Sequence, residues 1–151
     1  MLNETHYRAV LNFFYFLLLD EAMALSASFR AIKKIQKKMK KKPVPDIDKV
    51  LISVSASVYE LYRTHKQTVP SAPPKSDWKI PRQEYLIAWK EFMRRAEPQF
   101  SVALVLNYIL KYKPKIIAEA LELPEGTINF RLGRGLESLA QSSVIKTLVS
   151  K

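Results

Sequence analysis

Apolar residues recur at helical spacing along the whole chain, and no segment alternates apolar and polar over a strand's length. Asn3 followed by Glu4 predicts the start of a first helix that runs to about Leu19 and is apolar on almost every face. Asp20 and Glu21 open a second, Ala22 to about Met39, with Met23, Ala27, Ile32 and Ile35 loosely spaced on it. Pro43 and Pro45 stop that helix. Asp46 or Asp48 caps a third, which reaches about Arg63 with an apolar stripe of Val50, Val54, Val58, Leu61 and Tyr62. Tyr85, Trp89, Phe92 and Met93 make a further helical stripe, and Pro98 separates it from a helix around Phe100 to Tyr112. Two more helices follow, near Pro114–Leu121 and Glu125–Gln141.

Between the third and fourth patterns the composition changes. Gln67 to Pro81 holds Pro70, Pro73, Pro74 and Pro81 among few apolar residues, which reads as an extended linker. The fold predicted is therefore all-α, with two small helical domains. A module at 1–66 and a module at 82–151 are joined by the proline-rich stretch 67–81. In a chain of 151 residues each module is near the lower size limit for an independent core, so either leans on the other or on a partner.

The sharpest local pattern is Lys113 to Gln141. Ile116, Ile117, Ala120 and Leu121 share one side of a short helix, and the small Ala118 and Ala120 permit another helix to cross closely. Leu123 is expected as a buried plug in the turn, and Pro124 stands where the next helix starts. That helix places Ile128, Leu132, Leu136 and Leu139 on its inner side. The opposite side then carries Thr127, Phe130 and Arg134, flanked by Asn129, Arg131 and Glu137. Groove reading requires such a face, because Arg donates two bonds to guanine and Asn pairs with the edge of adenine. Lys113 and Lys115 can reach backbone phosphates. Periodicity alone fits an ordinary helical hairpin with a solvated polar side equally well.

Charge sharpens this picture. The chain has 25 Lys+Arg against 14 Asp+Glu, a formal net charge of +11, with both halves positive. Arg30, Lys33, Lys34, Lys37, Lys38, Lys40, Lys41 and Lys42 follow one another without an acid among them. Contact with phosphate would favour such a block through counterion release, whether on DNA, RNA or an anionic membrane surface, whereas a solvated helix end would merely tolerate it. The longest apolar stretch, Ala9 to Leu19, is broken by Asn12 and is too short to span a membrane. It also lacks the flanks of a secretory signal. Cysteine is absent, so thiol nucleophiles, disulfides and cysteine-based zinc sites are excluded. The two histidines, His6 and His65, stand far apart without partners at metal-ligand spacing. No paired carboxylates, glycine-rich phosphate loop or Ser/His/Asp grouping appears, so neither an enzyme nor a cofactor is expected. Ser53, Ser55 and Ser57 read as small packing or surface residues. Phe13, Phe14, Tyr15 and Phe16 read as core.

The segment 113–141 closely resembles the carboxy-terminal DNA-binding domain of bacterial sigma-70-family factors, particularly the small extracytoplasmic-function type. The resemblance is carried by Ile117-Ala118-Glu119, Leu121, Leu123-Pro124, Gly126-Thr127-Ile128, Arg131-Leu132, Arg134 and Leu139, about a fifth of the chain. Three positions depart from it. Glu122 replaces the usual glycine of the turn, Phe130 the usual serine and Gly135 the usual alanine. Gly133 adds a second glycine to the same helix. The resemblance implies that the last helix reads a promoter's −35 element through Thr127, Asn129, Phe130, Arg131 and Arg134. Lys113 and Lys115 would lie on phosphate, and the helices from Tyr85 to Tyr112 would form a scaffold. It further implies double-stranded DNA and core RNA polymerase as partners, an anti-sigma protein as an additional partner class, no cofactor, and a place in the bacterial cytoplasm.

The amino-terminal half resembles the family's polymerase-binding module more distantly. Leu19-Asp20-Glu21-Ala22 leading to Phe29 is similar to one family stretch, with Met23 and Ser26 where Asp and Gln stand. Val50-Leu51, Val54 and Ser57 are similar to the helix that recognises the −10 element, without its Trp, Asn and Asp. Two functions are thus expected as alternatives. One is a sigma-like factor directing initiation. The other is a degenerate sigma-like regulator or protein-interaction module that binds DNA or a partner without melting a promoter.

Overall fold

The structure, a computed structural model, describes residues 2–41, 46–64 and 83–141, with side chains from residue 87 onward in the last stretch. Every regular element among the described residues is helical. They are α1 (Glu4–Leu18), α2 (Glu21–Lys41), α3 (Ile47–Thr64), α4 (Gln83–Arg95), α5 (Pro98–Leu104) continued by a π-helical turn (Val105–Ile109), α6 (Pro114–Leu121) and α7 (Glu125–Ala140). The fold is all-α. Pro43, Pro45, Lys42, His65, the stretch 67–81 and the side chain of Tyr85, all used in the sequence reading, lie outside the described residues.

The helix starts follow local chemistry. The Asn3 side chain accepts from the His6 backbone N–H at 3.0 Å, and His6 Nδ1 accepts from the Asn3 N–H at 3.1 Å. This reciprocal cap satisfies two donors that the first turn of α1 leaves open. Leu19 closes α1 in the left-handed region at φ 55°, and Asp20 then accepts from the Met23 N–H at 2.9 Å to open α2. At α3 the cap is Asp46, whose Oδ1 accepts from the N–H groups of Asp48 and Lys49 at 3.1 and 3.4 Å.

The fifth helix differs from the expected Phe100–Tyr112 at both ends. It begins at Pro98, because proline's fixed φ suits the first helical position, where no N–H is needed. It widens into the π turn, with the Leu110 N–H donating to the Val105 carbonyl at 2.9 Å. Lys111 then turns the chain at φ 65°. The Asn107 side chain donates to the Tyr112 carbonyl at 2.8 Å and pins the exit toward α6.

Val10, Phe13 and Phe14 of α1, Ala27, Ala31 and Ile35 of α2, and Leu51, Ile52 and Val58 of α3 are fully buried. The alanines let α2 approach its neighbours closely. Phe13 meets Phe14 and Tyr59 edge-on at centroid distances of 5.0 and 6.2 Å. Each buried phenylalanine contributes about 1.5–3 kcal/mol through its removal from water. The buried face of α3 is wider than its sequence stripe. It adds Leu51, Ile52, Ser55 and Tyr59, while Leu61 is 40% exposed. The reason is that α3 packs against α1 and α2 on one side and α6 on the other.

The helices before and after the undescribed stretch therefore touch, and their buried side chains join in one core. Two polar contacts fix the register. Trp89 Nε1 of α4 donates to the Phe16 carbonyl of α1 at 2.6 Å, and Lys49 Nζ of α3 lies 2.5 Å from Glu119 Oε2 of α6. No helix among the described residues is long and apolar enough to cross a membrane.

Candidate nucleic-acid interface

The pair α6 and α7 is built around a tight turn. Lys113 is extended at φ −70° and ψ 146°, and Pro114 takes the first helical position. Ile117, Ala118 and Ala120 are buried, so the side facing the rest of the molecule is partly small residues, as close helix crossing demands. At the end of α6, Glu122 adopts the left-handed region at φ 57°. Its N–H donates to the Glu119 carbonyl at 3.3 Å, and the Leu123 N–H donates to Ala118 at 2.9 Å. These bonds satisfy carbonyls that the helix end would otherwise leave open. A glutamate adopts this backbone at a steric cost that glycine avoids. Leu123, the expected plug, is half-buried. Pro124 sits one position before α7, extended at φ −63°, and Glu125 occupies the first turn, where its charge suits the helix dipole.

The inner side of α7 is Ile128, Leu132 and Gly135, with Leu136 and Leu139 only partly buried. The helix is thus rolled toward Gly135 relative to the leucine stripe. A Cβ at Gly135 would stand 3.0 Å from both Cγ and Cδ1 of Leu104, so α5 crosses α7 where only glycine leaves full room. A Cβ at Gly133 would meet open space. The two glycines therefore have different reasons to be there: one lets a helix pack, and for the other nothing in the structure requires the absence of a side chain.

The roll decides where each expected contact residue lies. Asn129, Phe130 and Arg134 are exposed, Thr127 and Arg131 half-buried, and Lys113 and Lys115 exposed beside α6. Phe130 is 60% exposed. The Arg134 guanidinium lies 6.0 Å from its ring centre, and Arg134 Nη1 is 3.8 Å from Glu137 Oε2 on the same helix. Arg134 also borders a depression of about 280 Å³ with Arg95, Glu97 and Phe100. Arg131 lines a different cleft, of about 570 Å³, shared with Tyr59, Glu60 and Arg63 of α3 and Glu97 ahead of α5. The structure thus gathers Asn129, Phe130 and Arg134 on the open side of α7 and sets Thr127 and Arg131 at its edges.

Electrostatics at the base of the pair involve α3. The ammonium of Lys49 holds the Glu119 carboxyl below its ordinary range, with Lys115 adding to the effect, and Glu119 in turn raises Lys49. Tyr112, between the π turn and α6, is pushed up to about 12, first by burial and then by the charges of Asp48 and Asp46. Sequence reasoning missed these partners, because Lys49, Asp46 and Asp48 stand more than sixty positions away and carry no local signal.

The cationic residues described on α2 are all exposed. Arg30 lies over the Tyr62 ring at 5.6 Å and Lys33 over Phe29 at 4.6 Å. Among the described residues no group of His, Asp and Glu is placed to hold a metal ion. No protein-family model matches the chain, and no match was found among curated proteins.

Proposed function

We propose that this chain is a sigma-factor-like DNA-binding transcription factor of the bacterial cytoplasm. It recognises a promoter −35-type element and directs RNA polymerase to initiate. In this reading α6 and α7 act as a helix-turn-helix, with α7 entering the major groove. Arg134 and Asn129 read base edges, Thr127 and Arg131 support them from the flank, and Lys113 and Lys115 hold phosphates of the same duplex. Phe130 meets a thymine methyl group. The chain acts by binding, with no catalytic group and no cofactor, and core polymerase and an anti-sigma protein are its protein partners.

The observation that carries the reading is the two-sidedness of α7. Ile128, Leu132 and Gly135 anchor it from behind, while Asn129, Phe130 and Arg134 are open to solvent. The 60% exposure of Phe130 also favours a second reading, since a ring left in water is a natural protein contact. In that reading the chain is a sigma-like regulator or interaction module that binds DNA or a partner without melting a promoter. Selecting bound fragments from random duplex DNA, followed by run-off transcription with purified core polymerase, separates these outcomes. An enriched motif with promoter-dependent transcripts is expected. An enriched motif without transcript moves the chain to the second reading, and failure to enrich any motif removes the groove-reading role.

A further inference from the structure

Four of the six lysines of α2 share one side of the helix. At 100° per residue, Lys34, Lys37, Lys38 and Lys41 fall within an arc of about 100°. That arc borders the buried side made by Ala24, Ala27, Ala31 and Ile35, so it overhangs the seam with α3. The four lysines line one side of a groove of about 380 Å³, and Ser53 and Ser57 of α3 line the other. Two hydroxyls one helical turn apart face a row of four ammonium groups. After Glu21 no acid occurs on α2. Arg30 and Lys33 are aligned with rings and Lys40 lies outside the arc, which leaves this row as the one cationic cluster of the helix that faces α3.

From this placement we infer that the α2–α3 groove is a track for the phosphate backbone of duplex DNA, separate from the α7 face. The row extends over two turns, about 10 Å of axis, which suits a chain of regularly spaced anions better than a single compact one. Each lysine neutralises a phosphate and releases counterions, while Ser53 and Ser57 donate hydrogen bonds to phosphate oxygens from the opposite wall. A lipid surface fits less well. A membrane-lying helix needs a broad free apolar face beside its cations, and the apolar stripe of α2 is taken up by α1 and α3, with Phe29 the large apolar side chain left exposed on it. The choice of DNA among nucleic acids rests on the proposed role of α7; the backbone track itself rests on the groove.

The test measures binding of the full chain to a random-sequence 30-base-pair duplex between 50 and 200 mM salt. The variant carries Lys34→Gln, Lys37→Gln, Lys38→Gln and Lys41→Gln. With about 0.9 of salt slope per neutralised phosphate, the wild-type protein should lose roughly 100-fold more affinity than the variant across that range. Ser57→Asp, at an exposed position that does not disturb the core, should weaken binding several-fold on every duplex. Parallel salt slopes for wild type and the lysine variant would overturn the proposal, as would undiminished binding by Ser57→Asp. So would binding to phosphatidylserine vesicles with none to duplex DNA. If the lysine effect is present on random DNA but no preferred sequence exists, the α7 reading fails and the groove stands. If a preferred sequence is bound with an unchanged slope, the groove fails and α7 stands.

Discussion

Helices α2 and α7 both carry cations to the surface, and they do so in opposite ways. On α2 the cations are dense, lysine-rich and free of acids beyond the first turn. On α7 they are two arginines set among carboxylates: Arg134 beside Glu137, and Arg131 in a cleft with Glu60 and Glu97. A dense lysine row attracts any phosphate chain and distinguishes none. Sparse arginines held at fixed angles on an anchored helix supply little attraction and much geometric selection. The seats of the two helices differ as well. The alanines and Ile35 seat α2 through apolar contact, whereas α7 is seated on α5 and α6. Through α6 it depends on titratable contacts with α3.

The largest expected effect tests the anchoring of α7. Ile128 is fully buried, and Ile128→Ala should cost about 2–5 kcal/mol in denaturant unfolding. At temperatures where the variant remains folded, preference for a selected sequence should fall more than affinity for random duplex. Equal loss on both would erase the contrast between the helices. Next, Arg134→Ala and Arg131→Ala should each cost about 1–3 kcal/mol on the preferred sequence if they read bases. The exposed Arg134 should lose discrimination. Should Arg131→Ala weaken all duplexes alike, it is a phosphate contact at the cleft's rim.

Smaller effects probe the backbone of the pair. Gly133→Ala should stabilise the protein by up to about 1 kcal/mol, since helix propensity improves and the new methyl group enters open space. Gly135→Ala should be the less stable of the two alanine variants, because Leu104 must shift to admit the methyl group. Glu122→Gly should stabilise by about 1 kcal/mol by removing a side chain from a left-handed residue. Differential scanning calorimetry ranks all three; a Gly135→Ala midpoint at or above that of Gly133→Ala would contradict the close crossing of α5 and α7.

The smallest effects near neutral pH come from the seat on α3. Tyr112 ionises less readily folded than unfolded, so its contribution is complete below about pH 10, the ordinary tyrosine value, and is lost as pH rises toward 12. Tyr112→Phe should flatten the stability profile across that window. Glu119 has a lowered carboxyl pKa, so its contribution is present above the ordinary glutamate range and disappears as pH falls through the folded value. Because the pair with Lys49 is solvent-exposed, Glu119→Gln should change stability only slightly, and chiefly by flattening the acid limb. Neither substitution should alter binding through α2, whose apolar seat does not titrate.

Much of the secondary structure was legible along the chain. Asn3, Asp20 and Asp46 each cap a helix near the expected start, because capping uses atoms within three residues of one another. The bounds of α6 and α7 agree closely with the expected ones without any side-chain cap, because Pro114 and Pro124 mark their starts locally. The buried stripes were legible only in part. Leu61 faces water and Ser55 is buried, since α3 has neighbours on two sides that its own periodicity cannot reveal. Among the candidate contacts, Phe130 and Arg134 were placed by helix geometry, but that Arg131 borders a cleft with residues of α3 depends on how distant helices pack.

The amino-acid sequence by itself determined that this is a helical, strongly basic chain, where most of its helices begin and end, and which side of α7 carries polar groups. These follow from interactions across one or two helical turns and from a sum of charges. Tertiary structure alone decided that α3 rests on α6, that Gly135 admits Leu104, and that Ser53 and Ser57 face the lysines of α2. Each of those depends on contacts between residues far apart in sequence, and such contacts come into being only when the helices pack.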